Sequence, residues 1–189
     1  MSSYAFQHHH NCLSSELCSS LRTYFDASPT SAHLGMRQEG ENVHLPSMRL
    51  DITDKRSLKL VGIPLRTKVH EAVAKECDAF FDGAYRFKRF TVRRYSPSDR
   101  DSCDWHVDAC DLSFVIFVGG NCSEGDGGDL VLGDGPTPDR IVSRALQTEG
   151  SMVVFEGRKV MHMVEPVLSG VRYTVVLFVD KKHLRSCNK

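Results

Sequence analysis

The sequence lacks an excess of either charge, because 24 Lys and Arg residues balance 24 Asp and Glu residues. A protein that binds nucleic acid through bulk charge needs a basic excess, or at least a basic patch, to neutralise phosphates. The balance argues against that class, and a nucleic-acid partner is not expected. No apolar run approaches the roughly 20 residues of a transmembrane helix, so no membrane partner is expected either.

The sequence also lacks the C-x-x-C spacing, and its seven cysteines are an odd number. A zinc finger or a disulfide framework is therefore not expected. The N-terminus has no basic segment followed by an apolar one, as a secretory signal would. Free thiols and the missing signal predict an intracellular protein, cytoplasmic with the nucleus left open. We interpret Cys103 and Cys110 as packing thiols, with redox sensitivity as the alternative.

The 189 residues suffice for one domain with a substantial core but not comfortably for two. We predict a single domain over 1–189, with an N-terminal helical and loop support region over 1–84 and a core over 85–181. Apolar residues at helical spacing predict one helix over 11–25, capped by Asn11 or Ser14. A second set of apolar residues at helical spacing predicts a helix over 64–81, which ends at Gly83.

From Tyr85 onward the apolar pattern changes to that of β-strands. Within 85–95 the residues alternate, so that Thr91, Arg93 and Tyr95 share one face. Many short strands punctuated by Gly and Pro indicate a β-sandwich or jelly roll. The tract His8–His10 is expected to be a disordered tail. The predicted strands are 47–52, 85–95, 105–108, 112–118, 129–132, 141–146, 151–155, 161–167 and 171–179.

His106 and Asp108 project from one face of the predicted strand 105–108, because side chains i and i+2 do so. His162 follows another predicted strand and could supply a third ligand. Two imidazoles and one carboxylate bind iron(II) at one face and leave its other positions open, although manganese, zinc or nickel also suit them. The alternative for His162 is a buried histidine satisfied by hydrogen bonds.

Arg172 opens the run of β-formers 172–179, which predicts a buried strand. A guanidinium at the start of such a buried strand rarely lacks a partner. Its planar fork is suited to bidentate capture of a carboxylate. The alternative is a salt bridge to an acidic residue of this chain.

The order and strand context of His106-x-Asp108, His162 and Arg172 resemble the iron(II)/2-oxoglutarate-dependent dioxygenases. The segment 162–173, HMVEPVLSGVRY, is similar to the prolyl 4-hydroxylase-like branch, as is the turn at Gly127-Gly128-Asp129-Leu130. The likeness covers roughly 90–180. It implies a mainly β fold with flanking α: a double-stranded β-helix (jelly-roll, cupin-like) core over 85–181, with N-terminal helices packed on one sheet.

The resemblance also implies ligands and an activity. His106, Asp108 and His162 would bind iron(II), and Arg172 would bind the far carboxylate of 2-oxoglutarate. Tyr95 and Thr174 are candidates for further contacts with this cosubstrate, with a core aromatic as the alternative for Tyr95.

Reaction with O2 would release succinate and CO2 and hydroxylate a C–H bond. The expected substrate is a prolyl or other side chain of a protein or peptide. A small-molecule substrate stays open, as does ascorbate as an additional cofactor.

The chain departs from the family pattern at several positions. Cys103 stands where a tyrosine is usual, and Phe117 or Ile116 stands where another tyrosine contacts the cosubstrate in some members. Many prolyl hydroxylases have lysine in place of Arg172. Phe178 stands where nucleic-acid demethylases of the superfamily carry a second arginine, which counts against that class.

Two other interpretations stay open. A non-redox metalloenzyme of the cupin type would keep the three ligands but have no use for Arg172. A catalytically silent binding module would need no intact triad.

Two segments, 96–104 and 119–128, are rich in Gly, Ser and Asp and poor in apolar residues, and a third, 27–46, is polar with Gly, Pro and Ser. We predict that one or more of them closes over the metal when substrate binds. Ordinary surface turns are the alternative.

Overall fold

In the residues that the computed structural model describes, the chain forms two antiparallel sheets and two helices. The helices are α1, Ser15–Ala27, and α2, Ile63–Phe81. The strands are β1 Phe6–His9, β2 Met48–Asp51, β3 Tyr85–Tyr95, β4 Cys103–His106, β5 Leu112–Gly120, β6 Leu130–Gly133, β7 Ile141–Ala145, β8 Met152–Phe155, β9 His162–Val164 and β10 Arg172–Lys181. The structure describes residues 6–27, 48–51, 63–98, 102–122, 125–133, 141–145 and 148–182. No helix in these ranges is long and apolar enough to cross a membrane.

The larger sheet has the strand order β1-β8-β5-β10-β3-β2, and the smaller one has the order β4-β9-β6-β7. From β3 to β10 the chain passes back and forth between the two sheets, which is the winding of a double-stranded β-helix. The predicted fold class, a mainly β jelly roll with N-terminal helices on one sheet, is confirmed. The division into a support region and a core stays a prediction.

The two faces of the larger sheet bury two different cores. On β10, Val175 and Leu177 join the core between the sheet and the helices, whereas Val176 and Phe178 join the core between the two sheets. This alternation follows from the two-residue period of a strand. One sheet therefore supports the helices and also forms a wall of the barrel.

Helix α1 buries the face that carries Leu17, Cys18, Leu21 and Phe25. The predicted cap at Ser14 is present, because the Leu17 N–H donates to Ser14 Oγ at 3.3 Å. Helix α2 ends two residues before Gly83, whose φ of +73° is the left-handed conformation typical of a residue after a helix.

The expectation that His8–His10 lies in a disordered tail is wrong for His8 and His9. Phe6–His9 forms β1 and pairs with β8, with His8 opposite Val153. Phe6 also packs against the core between the sheets. The segment has no strand-like alternation, so this edge strand depends on backbone pairing with a distant part of the chain.

The turn into β6 requires glycine at Gly127. Its φ is +76°, and a Cβ there would lie 2.0 Å from the carbonyl oxygen of Pro166. The N–H of Gly128 donates to the same carbonyl at 3.0 Å. This close approach ties the start of β6 to the segment that follows β9.

The predicted lid segments fall partly outside the described residues, at 28–46, 99–101 and 123–124. The lid therefore stays a prediction.

Candidate active site

Two histidines face each other across the smaller sheet. His106 ends β4 and lies opposite His162 at the start of β9. Their ring centroids are 4.2 Å apart, and the His162 ring also packs on Phe155, at 4.6 Å between centroids. Strand pairing therefore brings together two residues that are far apart in the sequence.

Asp108 joins the histidines by a different route from the predicted one. Strand β4 ends at His106, so Asp108 lies beyond the strand and the expected shared strand face is wrong. A turn holds it instead, because its N–H donates to the Gly157 carbonyl at 2.8 Å. Its Oδ2 accepts a hydrogen bond from Ser113 Oγ at 2.7 Å, which orients the buried carboxylate.

The three side chains form a cluster suited to a metal ion. One ligand atom from each of His106, Asp108 and His162 lies within 4.8 Å of the others. His106 Nε2 is 3.6 Å from Asp108 Oδ1, and His162 Nε2 is 3.4 Å from Asp108 Oδ2.

The hydrogen bonds of the imidazoles show why this donor set fits a cation. His106 Nδ1 lies 2.7 Å from the Asp104 carbonyl, and His162 Nδ1 lies 3.1 Å from the Val160 carbonyl. Because a carbonyl only accepts, each Nδ1 carries a proton, and each ring in its neutral form presents the lone pair of Nε2 to the carboxylate. Such a lone pair and the carboxylate oxygen that it faces repel each other unless a proton or a metal ion lies between them.

Burial and charge act differently on the two imidazoles. Burial lowers the pKa of His162 to about 4, so this ring is neutral at neutral pH. For His106, burial acts in the same direction, but the contact with the Cys103 thiol and the charge of Asp108 outweigh it, and the pKa is raised. The neutral His162 can bind a metal ion without first losing a proton.

Arg172 lies in the same cavity and has no anionic partner there. It is 2% exposed, and its Nε, Nη1 and Nη2 have no hydrogen-bond partner among the described residues. Its Cζ stacks 5.2 Å from the Tyr95 ring centroid and 5.1 Å from that of Phe117. Burial lowers its pKa to about 10, so it is still charged at neutral pH. The salt bridge considered as an alternative for Arg172 is not found among the described residues.

Tyr95 and Thr174, the candidates for further contacts with the cosubstrate, both line this cavity. Arg172 lies opposite Tyr95 in the β3–β10 pairing, and Thr174 lies opposite Arg93. Tyr95 and Thr174 are 2% and 1% exposed. The free space in the cavity is about 20 Å³, close to one water molecule, so a larger ligand requires the lining side chains to move.

Two residues of the site were not predicted as such. Arg93 lines the cavity, and the alternation of strand 85–95, which places it on the face of Tyr95, could have identified it. Ser113 has no comparable signal, because a serine in a strand is common. Cys110 lies 3.1 Å from Ser113 Oγ, and burial raises its pKa to about 12, which fits the packing role.

The family model of the 2OG-Fe(II) oxygenase superfamily matches residues 90–180, just under half of the chain, and this range contains every residue of the site described above. With the fold and the site geometry, the match identifies the protein as an iron(II)- and 2-oxoglutarate-dependent dioxygenase that uses O2, and the cluster of His106, Asp108 and His162 could hold the iron. The match argues against the two other interpretations, a non-redox metalloenzyme and a silent binding module. No curated protein sequence matches the chain.

Several solved structures share the fold of this oxygenase. A Pseudomonas putida prolyl-4-hydroxylase has a TM-score of 0.66 and 18% identity, covering 95% of this chain and 94% of that one. A Trichoplax adhaerens prolyl hydroxylase, solved with a hypoxia inducible factor peptide fragment, has a TM-score of 0.70 and 17% identity, covering 95% and 84%. AviO1 from Streptomyces viridochromogenes Tue57 has a TM-score of 0.65 and 18% identity, covering 94% and 90%.

We predict that iron(II) or manganese(II) stabilises the oxygenase against unfolding. The three ligands converge only in the folded chain, and at a hundredfold excess over the dissociation constant the gain is about 2.7 kcal/mol. His106→Ala or Asp108→Ala should abolish the gain, as measured by thermal unfolding with and without metal. If neither metal changes the melting temperature of the wild type, the assignment of the three side chains as metal ligands is contradicted.

A second prediction concerns Ser113, which touches no proposed ligand except Asp108. Ser113→Ala removes the hydrogen bond that orients the carboxylate, and such losses typically weaken metal binding about 10- to 100-fold. Ser151→Ala, another buried serine, is a control, because its hydroxyl donates to the Thr148 carbonyl instead. Manganese affinity can be measured by calorimetry, and equal affinities of Ser113→Ala and wild type would refute the positioning role.

Proposed function

We propose that this oxygenase hydroxylates a C–H bond in a side chain of a protein or peptide, prolyl in the first instance, with release of succinate and CO2. The observation that carries the proposal is the buried, unpaired guanidinium of Arg172 in the cavity of the His-Asp-His cluster. The fold likeness to prolyl hydroxylases, one of them solved with a peptide, supports the choice of substrate.

In this proposal His106, Asp108 and His162 bind iron(II). Hydrogen bonds from both Nδ1 atoms to backbone carbonyls hold the rings, and Ser113 holds the carboxylate. When bound, iron with 2-oxoglutarate and O2 supplies the oxidative decarboxylation and the hydroxylation. The contribution of the protein is to bind, to orient and to exclude water.

Arg172 binds the far carboxylate of 2-oxoglutarate in this proposal. A buried arginine fork that lacks a partner pairs bidentately with a carboxylate, and the pairing compensates for a charge that is costly to bury alone. Tyr95 and Thr174 add hydroxyl groups beside it. The remaining walls are apolar, at Val115, Leu130, Val164 and Val176, and exclude bulk water from the bound cosubstrate.

We predict that Arg172→Ala weakens 2-oxoglutarate binding and leaves metal binding intact. The variant removes a charge-assisted pair and leaves a buried carboxylate unpaired, which costs about 2–3 kcal/mol or more. Titration calorimetry with manganese and then 2-oxoglutarate separates the two steps. Equal losses of metal and 2-oxoglutarate affinity would show that Arg172 has a structural role.

The substrate class is tested by succinate release with iron(II), 2-oxoglutarate and a panel of peptides. Each proline-containing peptide is matched by one with alanine in place of proline, and His162→Ala serves as the inactive enzyme. We expect stimulation by some proline peptides only, with a mass gain of one oxygen atom on the proline. Stimulation by small molecules, and by none of the peptides, would overturn the peptide assignment.

A further inference from the structure

A second arginine, Arg93, lies in the cavity of Arg172 and the metal ligands. Strand β3 places it opposite Thr174 and two residues before Tyr95. Because side chains i and i+2 of a strand share a face, the two arginines, Tyr95 and Thr174 form one block on the barrel wall. Arg93 is only 7% exposed.

The guanidinium of Arg93 is only partly paired, whereas that of Arg172 has no hydrogen-bond partner among the described residues. Its Nη1 donates to Tyr95 Oη at 3.3 Å, and its Nε has no partner among the described residues. No carboxylate in the described part of the chain forms an ion pair with it. Asp108 is the single carboxylate among the described residues that line the cavity, and it already faces both histidines. A buried charge left in this way is costly unless a ligand completes its pairing.

The two arginines lie on different sides of Tyr95. The tyrosine hydroxyl meets Arg93, whereas the tyrosine ring stacks on Arg172. Arg172 also lines a neighbouring pocket with Phe117, Gly120 and Cys122, and the described lining of that pocket contains neither Arg93 nor a metal ligand. Arg93 therefore lies on the side of the metal ligands, and Arg172 lies on the side of the neighbouring pocket.

This arrangement matches the two ends of a 2-oxo dicarboxylate. Apart from the metal ligands and the arginines, the described residues that line the cavity offer hydrogen-bond donors only at Tyr95, Thr174 and the thiol of Cys103. The far carboxylate has Arg172 as its partner. A carboxylate beside the keto group, next to the metal ligands, has Arg93 within the same block.

We propose that Arg93 binds the carboxylate of 2-oxoglutarate that adjoins its keto group, so that one arginine holds each end of the cosubstrate. The assignment rests on the proposed function, because it needs 2-oxoglutarate in this cavity. Arg93 is then a binding residue that orients the keto acid toward the metal ligands. Arg93 and the metal would together hold the keto acid end of 2-oxoglutarate, and Arg172 would hold the far carboxylate.

The test compares two ligands that differ only at the far end. In 2-oxopentanoate a methyl group replaces the far carboxylate of 2-oxoglutarate, while the keto acid end is unchanged. Both are titrated calorimetrically into the manganese-loaded wild type, Arg93→Met and Arg172→Met, with displacement of 2-oxoglutarate used where direct binding of 2-oxopentanoate is weak. Arg86→Met, an exposed position on the same strand, is the matched control.

Arg93→Met should weaken both ligands by a similar factor, about tenfold or more, because both keep the carboxylate beside the keto group. Arg172→Met should weaken 2-oxoglutarate alone. Arg93→Lys keeps the charge but loses the fork, so it should weaken both ligands less, and it replaces Arg93→Met in the comparison if that variant does not fold.

Two results would overturn the assignment. A loss confined to 2-oxoglutarate would place Arg93 on the far carboxylate. Unchanged affinity for both ligands would make Arg93 a structural residue or a contact for the hydroxylated substrate. Failure of the wild type to bind 2-oxoglutarate would instead refute the proposed function, so the two failures are distinguishable.

Discussion

The register of β10 is the constraint on which both cores and the site depend. This strand lies between β5 and β3, and nine of its ten residues are buried. One face, with Val175 and Leu177, packs toward the helices, and the other carries Arg172 and Thr174 into the barrel. A slip of one residue would exchange the faces, placing the arginine against the helices and a valine in the cavity. Apolar burial on one face therefore determines where the charged groups of the other face lie.

The barrel interior contains polar groups that the described part of the chain pairs only in part or not at all. Two Nε2 lone pairs face the Asp108 carboxylate at one end, and the guanidinium groups of Arg93 and Arg172 lie along the cavity. An apolar interior of the same shape would be more stable than one with unpaired charges. Buried polar groups that lower the stability of the fold are typical of functional sites. A cation at one end and a dianion beside it would satisfy both sets of groups at once.

Much of the fold was predictable because the decisive signals are local. Strand 85–95 has clear alternation, and the β-branched run after Arg172 predicts a buried strand in the observed place. The grouping of His106, Asp108 and His162 was predictable from residue type and order, although the reason given for Asp108 was wrong. It is held by a backbone hydrogen bond to Gly157 and by Ser113, neither of which leaves a pattern in the sequence. Strand β1 also escaped prediction, because it depends on pairing with β8.

The central claim is that one cavity holds a metal ion on the His-Asp-His cluster and a dicarboxylate that reaches Arg172. A crystal structure with manganese(II) and N-oxalylglycine, an analogue of 2-oxoglutarate, tests it most directly. The account predicts an anomalous peak bound by His106 Nε2, the Asp108 carboxylate and His162 Nε2, with the far carboxylate of the analogue on the Arg172 guanidinium. Manganese bound elsewhere, or an analogue whose far carboxylate lies away from Arg172, would contradict the account.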